Sequence, residues 1–555
     1  MTLPLSFRPK LVDALKDYSA HRFYSDLGAG VTVGIVALPL AMALAIASGL
    51  QPEVGIFTAI IGGFLISALG GSRVQIGGPA GAFVPLLAPI VLVHGAQALI
   101  VCTLMAGVIL FVLGACKLGS MIKYIPYPVV TGFTSGIAII ILSTQIHDFF
   151  GLPEKLPPDF IGKLSALALG FHPNWATVVL GTIASLAIWY WPKKVGRRVP
   201  GSIVIVILAA LASWSFDWAG RFGIQTLGTA FGEMPRMLPM PHWPSLSLDE
   251  WRALVPTAMT IAVLGAIESL LCAVVADGMI DDRHDSNQEL MAQGIANMTM
   301  GVFGGMPTTG VIARTATNVR CGGRTPVAGM IHALALLVIL LAAAPLAKHI
   351  PLAVLSAVLV VVSLRMGEWH QFRRLKRWPK SDAAVFVCAF ALTVCVDLPT
   401  AVGTSLILAS ALLVKRLAEL SHVNEEMAQA GENGQANLEI PKGVMVFRVF
   451  GAFFFGAADK LETSLRRAGQ LPDVLILRMR DVLALDATGI DALEDLQEKL
   501  RIDKKALVIC GPKSQPLFAL TRSGFIDRLG RENICGDLES AIARARVILG
   551  KKDRI

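Results

Sequence analysis

The stretch GGMPTTGVIARTATNVRCGG, residues 304–323, lies between two long apolar runs and differs from both. Its hydropathy places it in a membrane span, yet it carries paired glycines, a proline and Arg314. Glycine and proline disfavour a continuous helix, and an arginine at membrane depth is costly unless it faces a cavity or a partner. The stretch therefore predicts an interrupted membrane helix with a charged side chain beside the interruption.

The composition of the whole chain predicts an α-helical polytopic membrane protein. Of its 555 residues 54% are hydrophobic and only 16% are charged, and the mean hydropathy is +0.63. Soluble domains carry roughly a quarter charged residues. The net charge of +9 does not indicate a nucleic-acid partner, because the basic residues form short clusters between apolar runs, as the positive-inside rule describes.

Several function classes lack their sequence signals. The eight cysteines show no metal-binding or disulfide spacing, and no nucleotide-binding motif of the form GxxxxGK[ST] occurs. No Ser/His/Asp constellation is visible in the sequence either. We therefore expect no metal, no cofactor and no ATP-driven transport, and we do not expect an enzyme.

A helix needs about 20 apolar residues to cross a lipid bilayer, and the sequence offers fourteen candidate spans. With the N-terminus inside, the loops after even-numbered spans are the richer ones in Lys and Arg, above all RMGEWHQFRRLKRWPK at 365–380. The positive-inside rule then places both termini in the cytoplasm. The candidate spans are 27–47, 53–69, 76–93, 96–115, 127–147, 175–191, 200–218, 254–277, 289–303, 306–321, 325–347, 351–365, 382–397 and 400–417.

These spans define the expected domains. Residues 1–26 form a cytosolic N-terminal segment, and residues 27–417 form the transmembrane domain, with one half at about 27–218 and the other at about 254–417. A polar linker is expected at 418–440. Beyond it, short β-branched runs alternate with amphipathic runs, which predicts a small cytosolic α/β domain at 441–550.

Two candidate spans are interrupted at corresponding positions. The third contains SRVQIGGPAGAFVPLLAPI (72–90) and the tenth contains GGMPTTGVIARTATN (304–318). The deduced topology runs them in opposite directions, so the two half-helices would point their N-termini at each other near the bilayer midplane. This pattern is typical of transporters built from two inverted seven-span repeats, and converging helix N-termini make an anion site.

Few ionisable residues fall well inside the spans. Glu268 lies near the centre of the eighth span and Arg314 about one turn into the second half-helix. Glu268 could form an ion pair with Arg314, bind a proton or ligate sodium. Arg314 could contact the anion or neutralise the charge of Glu268. Five further polar side chains could line the same cavity or form hydrogen bonds between helices: Gln293, Asn297, Thr315, Thr317 and Asn318.

Five stretches carry a resemblance to a known family. DLGAGVTVGIVALPLAMALAIASGL, GGSRVQIGGPAGAF, YIPYPVVTGFTSGIAI, GAIESLLCAVVADGM and ARTATNVRCGGRTPVAGMIHA look like the SulP anion transporters, solute carrier family 26. The C-terminal segment is similar to their STAS domain. The resemblance implies fourteen spans in a seven-plus-seven inverted repeat, a core domain moving against a gate domain, and commonly a homodimer in the bacterial cytoplasmic membrane.

The resemblance also implies where the anion binds, between the N-termini of spans 3 and 10 with span 1 alongside. Several positions where relatives use a hydroxyl or an amide are apolar here, so we expect backbone N–H groups to do most of the binding, with Arg314 assisting. Carried over by position, the site residues are Gly78, Ala80, Gly81, Ala82, Thr309, Gly310, Val311, Ala313, Arg314, Leu40 and Leu44.

The coupling ion is expected to be a proton rather than sodium. In sodium-coupled relatives the carboxylate position, here Glu268, is accompanied by threonines, whereas this chain has Cys272 and Ile312. A thiol and an aliphatic chain are poor sodium ligands. Proton coupling through Glu268 or simple anion exchange is therefore favoured.

The resemblance is strongest to C4-dicarboxylate-type members, which predicts proton-coupled uptake of succinate or fumarate. Sulfate, bicarbonate or exchange is the alternative within the transporter class. Two other classes stay open: an uncoupled anion channel, and a membrane-tethered sensor that signals to a protein partner through the STAS domain.

In the STAS segment, LALDATGIDAL (483–493) matches a loop that is phosphorylated in related antagonist proteins, which places Thr488 at the phospho-acceptor position. The favoured alternative is a helix N-cap made by Asp486 or Thr488.

Overall fold

A computed structural model describes residues 7–120, 126–154, 156–157, 159–192, 201–420, 422–425, 440–453 and 472–552. The chain divides into two compact units, Met1–Ile407 and Leu408–Ile555. The division lies within a helix, ten residues before the predicted linker begins. Most of that linker, residues 426–439, lies outside the described residues.

The first unit is almost entirely helical, because a helix satisfies the backbone polar groups of a long apolar run within that single segment, as a membrane requires. Its first half contains α1 Lys10–Lys16, α2 Ala20–Ala47, α3 Pro52–Phe57 with a π-helical turn Thr58–Gly62, α4 Gly63–Leu69, β1 Gly77–Pro79, a 3-10 turn Gly81–Phe83, α5 Val84–Ala115, α6 Tyr127–Thr144, α7 Ile146–Phe150, α8 Phe160–Leu169, α9 Trp175–Trp189 and α10 Gly201–Phe216.

The second half of this unit repeats the mixture of long helices and one interrupted segment. It contains α11 Trp218–Phe222, α12 Leu227–Phe231, α13 Leu248–Ile280, α14 Ser286–Val302, β2 Thr308–Gly310, α15 Ile312–Arg320, α16 Pro326–Ala347, α17 Leu352–Met366, α18 Trp369–Arg374 with a 3-10 turn Leu375–Arg377, α19 Lys380–Cys395 and α20 Leu398–Leu420.

A helix lies at the position of every predicted span, and the count of fourteen crossings stays a prediction. Within the described residues, six helical segments are long and apolar enough to cross a membrane: Ala20–Ala47, Pro52–Leu69, Gly81–Ala115, Tyr127–Phe150, Leu248–Ile280 and Leu352–Arg377. One of them, Gly81–Ala115, contains α5 and covers the later part of the predicted span 76–93 and the whole span 96–115. It breaks between them at Gly95, whose φ of 79° and ψ of 173° are not helical.

Small residues let neighbouring helices approach closely, as in other membrane bundles. On α2, a Cβ at Gly34 would lie 2.9 Å from the Cβ of Ala335 on α16. On α5, a Cβ at Gly114 would lie 2.6 Å from the carbonyl oxygen of Asn287 on α14. The packing of α2 against α16, and of α5 against α14, therefore depends on glycine at these contacts.

The N-terminal segment is tied to the ends of α4 and α14. The backbone N–H of Arg8 donates to Gln288 Oε1 at 2.8 Å, and Gln288 Nε2 donates to the carbonyl of Leu69 at 2.7 Å. The N–H of Lys10 donates to the carbonyl of Gly70 at 3.0 Å. Gln288 therefore joins three segments of the chain with one buried amide.

A second anchor joins the start of α2 to the start of α16. The Asp26 carboxylate is fully buried and accepts from the backbone N–H of Arg324 at 2.9 Å and from the hydroxyl of Thr325 at 2.5 Å. Tyr18 also donates to it at 3.1 Å. Burial, together with the charge of Asp26, raises the pKa of Tyr18 to about 12, so the phenol stays a donor at neutral pH.

The second unit contains a five-stranded sheet in the order β3-β4-β5-β6-β7 among its described residues. β3 is antiparallel to β4, and the remaining neighbours are parallel, with core clusters formed by apolar side chains of the strands and helices. The elements are β3 His422–Glu425, β4 Val444–Phe453, β5 Val474–Leu485, α21 Ala487–Ile502, β6 Ala506–Cys510, α22 Ser514–Arg522, α23 Phe525–Leu529, β7 Ile534–Cys535 and α24 Leu538–Lys552. The predicted α/β class of the C-terminal part is confirmed.

Asp486 is the N-cap of α21. Its carboxylate accepts from the backbone N–H of Gly489 at 2.8 Å, while Thr488 is exposed and its hydroxyl makes no hydrogen bond to any described residue. The capping role that the sequence left between Asp486 and Thr488 belongs to Asp486. Phosphorylation of Thr488 stays a prediction.

Candidate functional site

The two interrupted segments pair with each other. β1 and β2 form a two-stranded antiparallel sheet, called here the β bridge, with Gly77 opposite Gly310, Gly78 opposite Thr309, and Pro79 opposite Thr308. The sequence predicted extended backbone at both places but not this pairing. The antiparallel direction is what two inverted half-helices require, and pairing satisfies backbone groups that have no water to bond at this depth.

A helix begins directly after each strand of the β bridge. The 3-10 turn that leads into α5 follows Ala80, and α15 follows Val311, and both of these N-cap residues have extended backbone. Neither helix start receives a hydrogen bond from a capping side chain. The first N–H groups of a helix lack partners within the helix and carry partial positive charge. Two such ends beside one β bridge make a surface suited to an anion.

Polar side chains from neighbouring helices hold the second strand. Asn297 on α14 accepts from the N–H of Thr308 at 2.9 Å and donates to its carbonyl at 2.8 Å, as a neighbouring strand would. The hydroxyl of Thr309 donates to the carbonyl of Gly265 at 3.0 Å. The N–H of Met306 donates to Thr58 Oγ1 at 3.0 Å. These bonds fix β2 against α13, α14 and the π-helical turn.

The segment leading into the first strand is held from α15. The N–H of Ile76 donates to Thr315 Oγ1 at 3.0 Å, and Asn318 Nδ2 donates to the carbonyl of Val74 at 2.9 Å. The thiol of Cys272 donates to the same Thr315 oxygen at 3.2 Å. Thr315, Asn318 and Asn297 therefore act as interhelical hydrogen bonders, which was the alternative to cavity lining. The hydroxyl of Thr317 bonds within its own helix, to the carbonyl of Ala313 at 2.8 Å.

Arg314 lies directly against the β bridge. Its side chain is 2% exposed, and none of its three guanidinium nitrogens has a hydrogen-bond partner among the described residues. The space that a Cβ would need at Gly78 is occupied by Nη1 of Arg314. A buried cation without an acceptor is costly. The arrangement therefore fits a bound anion that supplies the missing acceptors.

Glu268 does not form an ion pair with Arg314 among the described residues. Its Oε2 atom is buried without a partner, and no ion pair between Glu268 and Arg314 forms in the part of the chain that the structure describes. The alternative in which these two residues neutralise each other is thus not observed. Among the described residues, Glu268 on α13 and Arg314 on α15 are therefore not paired with each other.

The other predicted site residues are placed as follows. Gly78, Ala80, Ala82, Thr309, Gly310 and Val311 are buried around the β bridge, Leu44 is buried on α2, Leu40 and Gly81 are half-buried, and Ala313 is exposed. A Cβ built on Gly81 would lie 3.8 Å from Leu44 Cδ2 and 3.0 Å from Ile141 Cδ1. Apolar side chains of α2 and α6 therefore face the start of the helix at Gly81.

Sequence reasoning missed Glu289, a fully buried carboxylate near the start of α14. It accepts from the backbone N–H groups of Gly71 at 2.9 Å and Ser72 at 3.2 Å, from Gln293 Nε2 at 3.1 Å and from the Ser269 hydroxyl at 3.3 Å. In the sequence it looks like an ordinary acidic residue in a first helical turn, where acidic side chains are common. Only the approach of Gly70 and Gly71 to α14 shows that it is enclosed.

No Ser/His/Asp constellation is visible in the sequence, and the structure brings three such side chains together. Ser286 Oγ lies 2.9 Å from His284 Nε2, and His284 Nδ1 lies 2.7 Å from Asp277 Oδ2. The three meet because α13 ends at Asp281 in the left-handed region, with φ of 52°, and the chain folds back. The same Asp277 oxygen accepts the backbone N–H of His284 at 3.0 Å, so the group holds this turn together. Among the described residues no cluster of three His, Cys, Asp or Glu side chains could hold a metal ion.

Comparisons with known proteins agree with the helical and α/β parts of the fold. The profile of the Sulfate permease family matches residues 23–389, and that of the STAS domain matches residues 435–541. "Putative sulfate transporter YvdB" of Bacillus subtilis (strain 168) is 39% identical over 520 residues, 93% of this chain and 97% of that protein. Bicarbonate transporter BicA of Picosynechococcus is 29% identical over 94% of each chain.

A solved structure shows the same fold at low identity. The murine Solute Carrier 26 family member A9 anion transporter superposes with a TM-score of 0.86 at 19% identity, covering 97% of this chain and 94% of that one. The predicted fold class, a helical membrane-type transporter domain followed by a STAS domain, is confirmed.

Proposed function

The chain belongs to the Sulfate permease family of anion transporters, and from this premise we propose that it is a secondary active transporter that binds its anion at the β bridge. The observation that carries the proposal is Arg314, a buried guanidinium with no acceptor among the described residues, lying against Gly78 where two uncapped helices begin. An anion would accept from the guanidinium and from the helix N–H groups at once.

The proposed transport cycle is alternating access across the bacterial cytoplasmic membrane. The β bridge and the helices bonded to it move as a core domain against a gate domain, in a homodimer with both termini in the cytoplasm. The STAS domain is the proposed contact for a cytosolic protein partner, with Thr488 as a candidate phospho-acceptor. Domain bounds remain those predicted from the sequence: 27–417 for transport and 441–550 for STAS.

A proton is the proposed coupling ion, with Glu268 as its carrier. The buried Oε2 atom of Glu268, which has no hydrogen-bond partner among the described residues, could take a proton. Sodium is a weaker candidate, because the Cys272 thiol is already bonded to Thr315 and the Ile312 side chain is aliphatic and exposed. A hard cation prefers several oxygen ligands.

C4-dicarboxylates such as succinate and fumarate are the first proposed substrates. The region beside Gly81 presents the hydrocarbon side chains of Leu44 and Ile141, which suit the carbon backbone of such an acid better than a sulfate ion, which is polar on all sides. Sulfate or bicarbonate is the second candidate, since the relatives named above are described as transporters of those ions.

Counterflow into proteoliposomes tests the proposal. Vesicles containing purified protein are loaded with unlabelled succinate, fumarate, sulfate or bicarbonate, and entry of the labelled ion is followed with and without sodium and a pH gradient. Saturable counterflow of at least one ion, stimulated by external acid but not by sodium, is the expected result. Counterflow that is absent for every ion would overturn the transporter proposal.

The same vesicles separate the two rival classes. An uncoupled channel would give a conductive flux that is abolished by clamping the membrane voltage at the equilibrium potential and shows no counterflow stimulation. A membrane-tethered sensor would bind an anion and carry none.

A further inference from the structure

Glu289 is a fully buried acidic residue of the first unit, and its bonds lead toward the β bridge in two directions. The first direction is direct: Oε2 accepts from the backbone N–H groups of Gly71 and Ser72 at 2.9 and 3.2 Å. These residues open the segment that becomes β1 at Gly77. Their position is therefore set by a carboxylate on α14.

The second direction runs through Ser269 to Gln75. Ser269 Oγ accepts hydrogen bonds from Gln75 Nε2 and Gln293 Nε2, each at 2.9 Å. The Ser269 hydroxyl donates to Glu289 Oε1 at 3.3 Å. A carboxylate only accepts hydrogen bonds. Because the Gln75 and Gln293 amides both donate to Ser269 Oγ, the Ser269 proton is left to donate to Glu289, and these bonds define the group called here the Glu289 network: Glu289, Gln293, Ser269 and Gln75.

The last member of the network contacts the candidate anion site. The side-chain amide of Gln75 occupies the space that a Cβ would need at Gly310. Gly310 is the final residue of β2 and pairs with Gly77. The segment 71–77 is thus held at its beginning by Glu289 and near its end by an amide that Glu289 orients through Ser269.

We propose that Glu289 is a positioning residue for anion binding: through the Glu289 network it sets the β bridge in the geometry that Arg314 and the helix N-termini need. This inference rests on the proposed function, because it assumes that the anion binds at the β bridge. Glu289 itself contacts no anion. It acts through Ser72 on one side and Gln75 on the other.

The substitution Glu289→Gln tests the inference with the least change in volume. A carboxamide has an acceptor at one end and donors at the other, so an N–H group must face donors at either the Gly71 and Ser72 end or the Ser269 end. We expect the dissociation constant for the anion to rise about tenfold, measured by isothermal titration of succinate and of sulfate into full-length protein in detergent.

Gln288→Leu is the matched control. Gln288 neighbours Glu289 on α14, is equally buried and makes two hydrogen bonds, to Leu69 and Arg8, but has no bond to the Glu289 network. The control should lower thermal stability and leave the dissociation constant within about twofold. An equal rise in both variants would mean a general loss of stability and would overturn the proposal.

Gln75→Leu supplies a second route to the same answer if Glu289→Gln does not fold. Alone it should weaken anion binding by disrupting the Ser269–Gln75 path only, and the double variant should bind the anion no more weakly than Glu289→Gln, which already disrupts this path. Unchanged binding in both single variants, or losses that simply add, would overturn the proposal.

Hydrogen exchange separates this inference from the proposed function. In Glu289→Gln the backbone amides of residues 71–78 should exchange faster, and in Gln288→Leu they should not. If the two variants show this exchange pattern but the wild-type protein binds neither succinate nor sulfate, only the proposed function is contradicted. Unchanged exchange in Glu289→Gln would contradict the role of Glu289.

Discussion

Arg314 and Glu289 are both buried charged side chains beside the β bridge, and their surroundings are opposite. Four donors surround the Glu289 carboxylate, whereas the Arg314 guanidinium has no acceptor among the described residues. A buried charge is tolerated when hydrogen bonds replace its lost hydration. The comparison indicates that the Glu289 side chain is compensated by hydrogen bonds within the described residues, whereas that of Arg314 is not.

The two side chains should therefore respond differently to removal. Removing a satisfied partner leaves several donors without an acceptor, which lowers the free energy of unfolding. Removing an unsatisfied charge relieves a desolvation cost that nothing in the ligand-free protein repays. Stability and anion affinity should separate at these two positions.

The largest effect is expected for Arg314→Ala. Hydrogen bonds to charged groups contribute about 1.5–3 kcal/mol, so the dissociation constant for the anion should rise roughly 10- to 150-fold. Without anion, the melting temperature should stay equal to that of the wild type or rise. Isothermal titration and thermal unfolding measure the two quantities.

The exposed Arg320 on the same helix provides the control, since Arg320→Ala removes a positive charge outside the site. If Arg314→Ala binds the anion normally, or melts at a clearly lower temperature, then Arg314 is a structural residue like Glu289 and the contrast between them disappears.

Gly310→Ala should produce the next largest effect, because its methyl group would overlap the Gln75 amide where the Glu289 network meets the β bridge. Overpacking of this kind costs about 1–3 kcal/mol, and anion affinity should fall roughly 5- to 50-fold. The matched control is Gly278→Ala on α13, where an added Cβ would meet no atom within 4 Å. Equal affinities for the two variants would show that the β bridge tolerates displacement.

Glu268→Gln extends the comparison of Arg314 and Glu289 to a third ionisable residue. Like Arg314, Glu268 has a buried side-chain atom without a hydrogen-bond partner among the described residues, but it is acidic. We expect acid-driven accumulation of the anion in proteoliposomes to be lost, while counterflow persists and the dissociation constant changes by less than about threefold. Glu250→Gln, near the start of the same helix and outside the apolar run, should leave accumulation intact. Undiminished accumulation in Glu268→Gln would remove Glu268 from the coupling step.

The smallest expected effect concerns the STAS segment, where a hydrogen-bonded side chain, Asp486, lies beside one without such a bond among the described residues, Thr488. The Asp486 carboxylate accepts from Gly489, and the nearby Thr488 hydroxyl makes no hydrogen bond to a described residue. Asp486→Ala should lose about 1 kcal/mol of helix stability, which lowers exchange protection in α21 roughly fivefold. Thr488→Ala should leave that protection unchanged. A loss of protection in Thr488→Ala would show that its hydroxyl also stabilises the helix start.

Much of this arrangement was predictable because glycine and proline have local effects. The runs around Gly77 and Gly310 predicted extended backbone and helix starts at the right residues, and family resemblance connected them. Composition and the alternation of apolar runs predicted the helical unit and the α/β unit. These signals depend only on neighbours in the sequence.

The remaining features depend on contacts between distant residues. The pairing of Gly78 with Thr309 joins segments more than two hundred residues apart, and neither segment encodes its partner. In the sequence Glu289 resembles any acidic residue near a helix start, and only the close approach of Gly70 and Gly71 in the folded chain shows that it is enclosed. The meeting of Ser286, His284 and Asp277 required the left-handed turn at Asp281, which no pattern in the sequence announces.

Anomalous scattering from a bound anion tests the central claim most directly. Crystals of the full-length protein would be soaked in selenate, which resembles sulfate, or in bromosuccinate, which resembles succinate. The predicted result is one anomalous peak per chain at the start of α15, with anion oxygens within hydrogen-bond distance of the Arg314 guanidinium, and no such peak in Arg314→Ala. A peak elsewhere in the membrane unit, or one that survives in Arg314→Ala, would contradict the account.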